Sequence, residues 1–138
     1  MDAFDADVLI FAASASHPLG ARVRSLFSGP ATDEHVGVGS LLLLPEVMSR
    51  PMRESSADEV ADLNGLLAHL DLRPLDRMTA QIATALAAKY RLRAPDAVQL
   101  ATGVNAGATR FLTNNSRDFP KSITEIDITY PLDLPAAT

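Results

Sequence analysis

The sequence predicts an α/β protein built on a parallel sheet with helices on both faces. Short runs rich in Val, Leu and Ile alternate along the chain with segments whose apolar residues recur at helical spacing. Because parallel strands need helical crossovers to connect them, this alternation favours a covered parallel sheet. The length of 138 residues, with 47% hydrophobic and 21% charged content, fits one globular domain.

The first half of the chain is predicted to contain two strands and four helical segments. In order, these are a strand over residues 3–10 leading into a helix over roughly 8–16, a helix over 18–27, an extended segment over 35–39, a helix over 41–50, and a helix that follows the capping residues 55–59. Ser40 is suited to cap the helix over 41–50, and Pro51 is expected to end it. Asp5 then lies at or near the carboxyl end of the first strand.

The second half continues the same alternation and ends in a short tail. The predicted elements are a strand over residues 70–75, an alanine-rich helix over 76–90, a helix from Ala94-Pro95 to Gly107, a strand over 110–113, a turn over 114–116 and a last strand over 123–129. Residues 131–138 are expected to form a loose tail, so that the domain itself comprises residues 1–130.

Three carboxylates stand in apolar stretches that are far apart in the sequence. Asp5 precedes a Val-Leu-Ile run, Glu46 lies within the leucine-rich helix over 41–50, and Asp96 follows Pro95 at a helix start. An ionised carboxylate in an apolar neighbourhood costs several kcal/mol unless a cation or strong donors meet it. Three such residues therefore indicate a shared metal ion and hydrolytic metal chemistry.

Each candidate residue also has a purely structural explanation. Asp5 is able to accept backbone N–H groups, and Asp7 is suited to cap a helix. Asp96 lies where the helix dipole favours an acid on any protein. Asn115 and Asp118 are candidates for a fourth position at the site, but turns select both residue types for their own reasons. The sequence leaves these alternatives open.

Composition excludes several other kinds of chemistry. The chain has no cysteine, which rules out disulfides, cysteine-ligated zinc and thiol catalysis. The acidic N-terminus and the lack of a 20-residue apolar run argue against a signal peptide and a membrane span, so we expect a cytoplasmic protein. A net charge of −5 argues against broad binding of nucleic acid. The local cluster of basic residues is either a solvated surface or a rim that contacts phosphates; its members are Arg91, Arg93, Arg110, Arg117 and Lys121.

Four stretches carry a specific order of motifs. They are Phe4-Asp5-Ala6-Asp7-Val8-Leu9-Ile10, Pro45-Glu46-Val47-Met48-Ser49-Arg50-Pro51, Leu92-Arg93-Ala94-Pro95-Asp96-Ala97-Val98-Gln99-Leu100-Ala101-Thr102 and Phe111-Leu112-Thr113-Asn114-Asn115. This order resembles the PIN-domain ribonucleases and, in size and motif wording, the VapC-type toxins of type II toxin–antitoxin modules. The resemblance covers nearly the whole chain.

The resemblance implies a three-layer α/β/α sandwich whose acidic pocket binds Mg²⁺ or Mn²⁺ and cleaves RNA. By position, Asp5, Glu46 and Asp96 correspond to the first three acids of the family. Asp5 and Asp96 are then expected to ligate the metal, while Glu46 binds a second ion or orients a water. Asn115 stands where the family often has a fourth acid, and Asp118 is the alternative for that place. Asp7 stands where Asn, Ser or Thr is more common.

The resemblance also implies partners. A cognate antitoxin is expected to lay a helix or an extended tail across the groove, and a homodimer is expected as well. The apolar helix over 60–70 is suited to either contact or to core packing.

Other functions are compatible with parts of the sequence. Asp5-Ala6-Asp7 also fits a haloacid-dehalogenase-like phosphatase, but Leu9 and the lack of a late acidic pair disfavour it. A catalytically impaired PIN-like module that binds RNA or protein is the main alternative, since Asn115 replaces an acid. A nuclease of RNA processing would carry the same residues as a toxin.

Overall fold

A computed structural model describes residues 1–28 and 34–137, which form five strands and six α-helices. The strands are β1 Asp2–Phe4, β2 Gly37–Ser40, β3 Leu70–Arg73, β4 Arg110–Leu112 and β5 Asp127–Thr129. The α-helices are α1 Ala6–Ala13, α2 Gly20–Arg24, α3 Leu43–Arg53, α4 Ala57–Leu67, α5 Arg77–Tyr90 and α6 Ala94–Asn105. Short 3₁₀ turns cover Ser25–Phe27 and Pro131–Asp133. None of the described helices is both long and apolar enough to cross a bilayer.

All five strands are parallel, in the order β3-β2-β1-β4-β5. The chain starts at the centre with β1, moves outward to β2 and β3, and then returns to the other side of β1 for β4 and β5. Strands are thus added on one side of β1 and then on the other, so the strand order reverses between the parallel strands β1 and β4, where Ala3 is in register with Phe111. In open α/β sheets the binding crevice lies beyond the carboxyl ends of the strands at such a switch point.

Side-chain alternation along the strands divides the interior into two cores. Ala3 and Phe111 face the side that α5 and α6 cover, whereas Phe4 and Leu112 face the side that α1 to α4 cover. Successive side chains of a strand point to opposite faces, so β1 and β4 each contribute to both cores. The predicted parallel α/β sheet with helices on both faces is confirmed.

The first strand is much shorter than the predicted range of residues 3–10. Strand β1 ends at Phe4, and the Val-Leu-Ile run lies in helix α1 instead. The reason is Asp5, whose side chain caps α1 by accepting a hydrogen bond from the Ala6 N–H, at 2.8 Å. Strand β5 is also shorter than predicted, because Ile123 and Ile126 are buried in the core before the strand begins.

Helix α3 continues through Pro51, so the prediction that Pro51 ends it is wrong. A proline removes one hydrogen bond of the helix ladder, here the bond to the carbonyl four residues earlier, and α3 ends two residues later at Arg53. Ser40 ends strand β2, and its Oγ accepts a hydrogen bond from the Leu42 N–H at 3.0 Å. Ser40 therefore stabilises the turn that precedes α3 instead of capping the helix itself.

The start of the predicted loose tail packs against the domain. Leu134 is buried in the core beneath α1 to α4, and the Arg22 Nη1 donates a hydrogen bond to the Leu134 carbonyl at 2.7 Å. Residue 138 lies outside the described residues. Residues 131–134 thus contribute to the packing of the fold.

Two glycines in helices give opposite expectations on substitution by alanine. A Cβ on Gly103 of α6 would lie 2.7 Å from the Ala3 Cβ and 3.3 Å from the Ile126 Cδ1, whereas Gly65 of α4 has nothing within 4 Å. We expect Gly103→Ala to lower the free energy of unfolding by about 1–3 kcal/mol through overpacking. Gly65→Ala should raise it by about 0.5–1 kcal/mol. Urea denaturation measures both, and a stabilised Gly103→Ala would contradict the close packing of α6 on β1.

Candidate functional site

Asp5 lies directly after the central strand β1 and is 7% exposed. Its Oδ1 accepts a hydrogen bond from the Ala6 N–H, and its Oδ2 accepts one from the Thr113 hydroxyl, each at 2.8 Å. Thr113 follows strand β4 and is fully buried, and its Oγ1 also accepts a hydrogen bond from the Asn115 N–H at 3.1 Å. A hydroxyl has one proton to donate, and that of Thr113 goes to Asp5. The two central strands thus fix this carboxylate in place.

Asp7 lies in the first turn of α1, the helix that follows β1 at the switch point. Its Oδ2 accepts a hydrogen bond from the Asn114 N–H at 2.9 Å, which connects α1 to the loop after β4. Its Oδ1 is buried and has no hydrogen-bond partner among the described residues. One oxygen of Asp7 therefore supports the loop, and the other is unpaired within the described residues.

Asp96 lies in the first turn of α6, which starts at Ala94-Pro95 as the sequence predicts. Its side chain is 16% exposed, and its Oδ2 is buried without a hydrogen-bond partner in the described part of the chain. Arg93 forms a loose ion pair with it, in which the Arg93 Nε lies 3.8 Å from the Asp96 Oδ2 on a side chain that is 82% exposed. That distance is too long for a hydrogen bond, and so exposed an ion pair contributes little.

Burial and neighbouring carboxylates raise the pKa of each of these three acids. Burial, followed by the charge of Asp7, raises the pKa of Asp5 from 3.8 to about 7, although the Thr113 and Ala6 hydrogen bonds act against this. Burial likewise raises the pKa of Asp7 and of Asp96, with a further contribution from Asp96 to Asp7 and from Asp118 to Asp96. The structure therefore brings Asp5, Asp7 and Asp96 within electrostatic range of each other, in a site that favours a proton or a cation.

Glu46 is positioned differently from the other acids. The prediction of apolar surroundings is wrong, because Glu46 is exposed on the first turn of α3, at the edge of the buried face that carries Val47, Met48 and Pro51. Its Oε1 accepts a hydrogen bond from the Gln99 Nε2 at 2.7 Å. Glu46 is thus connected to α6, the helix that carries Asp96.

Gln99 is a residue that the sequence analysis missed. It is 2% exposed, and its Oε1 is buried without a hydrogen-bond partner among the residues described. The available signal was a long amide within the apolar face of α6, between Ala97 and Leu100. Burying a polar group without a hydrogen bond costs free energy, so an amide at such a position is expected to bind a polar group from another part of the fold.

Asn115 and Asp118, the candidates for a fourth position, bind each other. The Asn115 Nδ2 donates to the Asp118 Oδ2 at 2.9 Å, and the Asn115 Oδ1 accepts from the Asp118 N–H at 3.2 Å. Both polar atoms of the Asn115 side chain are therefore engaged within the turn. Asp118 is the member of the pair that acts on the site, since its charge raises the pKa of Asp96.

The basic residues do not form one rim around the site. Arg110 lies at the amino end of β4, at the opposite edge of the sheet, where its Nε and Nη2 each donate to Asp2 at 2.9 Å. The hypothesis of a phosphate-contacting rim is therefore wrong for Arg110. Lys121 pairs with Asp133, and Arg93 is the basic residue seen beside a site carboxylate.

The donor chemistry of the site suits a hard divalent cation, although the side chains are not drawn together around one. Within residues 1–28 and 34–137, no three Asp, Glu or His side chains are arranged closely enough to hold a metal ion as they stand. Two buried carboxylate oxygens without donors, Asp7 Oδ1 and Asp96 Oδ2, nevertheless flank the charge of Asp5. Mg²⁺ is held in proteins by one or two carboxylates and keeps several waters, which fits this sparse set of ligands.

Comparison with known proteins gives a family match and structural neighbours. A family model described as the PIN domain matches residues 3–122. A chain in a toxin–antitoxin complex from Klebsiella pneumoniae has a TM-score of 0.69 and 23% identity, covering 93% of this chain and 95% of that chain. A chain in the crystal structure of VapBC2 from Rickettsia felis, bound to a DNA fragment from their promoter, has a TM-score of 0.72 and 13% identity, covering 94% and 97%. No curated protein matches the chain. At these identities the two structures share its fold.

The raised pKa of Asp5 predicts that the metal-free protein loses stability as the pH rises. The folded state holds this proton with a pKa of about 7, against 3.8 ordinarily, so the folded state binds more protons than the unfolded state between these values. The free energy of unfolding should therefore fall from about pH 4 to pH 7, by up to about 4 kcal/mol, because a tenfold change in proton affinity is worth about 1.4 kcal/mol. Urea denaturation in a chelator measures the slope, and Asp5→Asn should flatten it. Equal slopes for the two proteins would contradict the prediction.

Proposed function

The chain belongs to the PIN-domain family, and we propose that it is a metal-dependent endoribonuclease that hydrolyses RNA phosphodiester bonds. PIN domains are generally nucleases. The observation that carries the proposal is the group of Asp5, Asp7 and Asp96 at the switch point, with two buried carboxylate oxygens that lack donors. An acidic cluster receives a phosphate only when a metal ion reverses its charge, so this site suits metal-assisted hydrolysis.

Each side chain has a definite part in the proposed reaction. Asp5 and Asp96 hold Mg²⁺ or Mn²⁺, and Thr113 orients Asp5 through its hydroxyl. When bound, such an ion supplies charge neutralisation at the phosphate and lowers the pKa of a water. Glu46, exposed at the start of α3, orients the attacking water. As that water forms a new P–O bond, the P–O bond to the leaving ribose oxygen breaks, without a covalent enzyme intermediate. The water gives up a proton to solvent, and the leaving oxygen takes one up from solvent.

Asp7 is our candidate for the fourth acid of the site. Its Oδ1 is buried without a partner in the described chain, whereas both polar atoms of the Asn115 side chain are engaged by Asp118. The acid that the family often carries after β4 is thus supplied here from α1. This exchange explains how the site tolerates an amide at Asn115.

We propose further that the protein is the toxin of a toxin–antitoxin pair. One of the two structural neighbours comes from a toxin–antitoxin complex, and the other comes from the crystal structure of VapBC2. An apolar surface supports a protein partner, because Leu44 and Met52 of α3 stay exposed beside Val60 of α4. A homodimer and a cytoplasmic location remain predictions. The haloacid-dehalogenase-like alternative is wrong, since the chain belongs to another family.

Cleavage of RNA tests the proposed function directly. Purified protein should cut a structured RNA pool with Mg²⁺ or Mn²⁺ and lose activity in a chelator. Asp96→Asn keeps the size of the side chain but removes its charge, so cleavage should fall by at least about 100-fold. Asp58→Asn, an exposed acid in the first turn of α4, is the matched control and should cleave as the wild type does. A folded protein that cleaves with neither metal would instead support the catalytically impaired binding module.

The proposed part of Asp7 has its own test. Asp7→Asn retains an acceptor for the Asn114 N–H but loses the carboxylate charge, so Mn²⁺ affinity measured by calorimetry should fall by about 10-fold. Asn115→Ser should have a smaller effect, because it keeps the backbone N–H that binds Thr113 and its side chain acts on the site through Asp118. Wild-type affinity in Asp7→Asn, with a loss in Asn115→Ser, would reverse the assignment.

A further inference from the structure

Gln99 does not behave as a satisfied core residue. Buried polar side chains are normally hydrogen bonded through both their donors and their acceptors. Gln99 is 2% exposed, yet the one hydrogen bond recorded for its side chain is that from Nε2 to Glu46, and its Oε1 has no partner among the described residues. Replacing such an amide by an apolar side chain of equal length removes an unsatisfied buried atom. Gln99 is therefore costly to the stability of the fold.

The orientation of the Gln99 amide is set by Glu46. If the amide were reversed, its oxygen would face the Glu46 carboxylate, and two acceptors would meet without a proton between them. The N–H side of the amide therefore faces Glu46, as observed at 2.7 Å. Since the acceptor is charged, this hydrogen bond belongs to the stronger kind.

Glu46 depends on this bond for a fixed position. It is exposed on the first turn of α3, and an exposed glutamate side chain is free to take several rotamers. Gln99 is held by the core around α6, three residues after Asp96 and thus on the same side of that helix. The rigid donor therefore secures the mobile carboxylate beside the helix turn that carries Asp96.

We propose that Gln99 is a positioning residue of the site, whose buried amide N–H holds the Glu46 carboxylate beside Asp96. The inference rests on the proposed nuclease function and deepens it. Gln99 touches neither RNA nor metal in this account and acts only through Glu46. The Gln99 Oε1 is buried without a hydrogen-bond partner among the described residues, whereas the Nε2 of the same amide provides the hydrogen bond that holds Glu46.

The test compares Gln99→Met, Glu46→Ala and the double variant with the wild type. Gln81→Met, which changes an exposed glutamine of α5, is the matched control. We expect Gln99→Met to lower kcat for RNA cleavage by about 10-fold or more, with KM for RNA nearly unchanged. Mn²⁺ affinity, measured by calorimetry without RNA, should also fall in both single variants, because a fixed Glu46 carboxylate adds negative charge beside the metal that Asp5 and Asp96 would hold. In the Glu46→Ala background, Gln99→Met should change neither quantity further, because the residue through which it acts is gone.

Thermal unfolding in a chelator separates positioning from a structural role. Gln99→Met should unfold at the wild-type temperature or a few degrees above it, since an unsatisfied polar atom has been removed. A clear drop in Tm together with lower kcat would show a structural role and overturn the inference. So would a Gln99→Met effect that multiplies with that of Glu46→Ala.

Failure of the inference is distinguishable from failure of the proposed function. A wild type that cleaves RNA with metal, together with an equally active Gln99→Met, overturns the inference alone. If the wild type binds Mn²⁺ without cleaving RNA, the calorimetric comparison still decides the part of Gln99. A wild type that neither binds Mn²⁺ nor cleaves RNA overturns both.

Discussion

The structure depends on a single carboxylate, that of Asp5, which serves the fold and the site at once. One oxygen caps α1 and so ends the central strand, while the other accepts the Thr113 hydroxyl that follows β4. The neighbouring bonds repeat this pattern, because Asp7 binds the Asn114 N–H and Thr113 binds the Asn115 N–H. The Asp5 and Asp7 bonds therefore join the start of α1 to the loop after β4 at the switch point of the sheet, and the Thr113 bond stabilises that loop.

This arrangement concentrates negative charge where the fold is most constrained. Burial is the main cause of the raised pKa of Asp5, and a neutral replacement at Asp7 would remove the repulsion that adds to it. Sites that break local rules of stability in this way are typical of functional regions, and other parts of the molecule compensate for them. Here α6 packs closely on β1 at Gly103, and it places Asp96 and Gln99 on a rigid element.

The sequence predicts those features of the fold and the site that depend on residues close together in the chain. Alternating strands and helices give the parallel sheet, and an acid after an apolar strand marks Asp5. The exposure of Glu46 was not predictable from its leucine neighbours, because the burial of a first-turn residue depends on which side of α3 faces the sheet. The Gln99–Glu46 bond joins residues that are 53 positions apart, and the location of Arg110 depends on strand register. Both follow from tertiary packing, which local composition does not encode.

The link between Asp5 and Thr113 joins residues that are 108 positions apart in the chain. Strand β1 emerges first during synthesis, but its central place in the sheet is completed only when β4 pairs with it. Asp96 and the loop after β4 also come from the last third of the sequence. The nascent chain consequently lacks the assembled acidic cluster until the segment that carries Asp96, β4 and the loop after it has been synthesised.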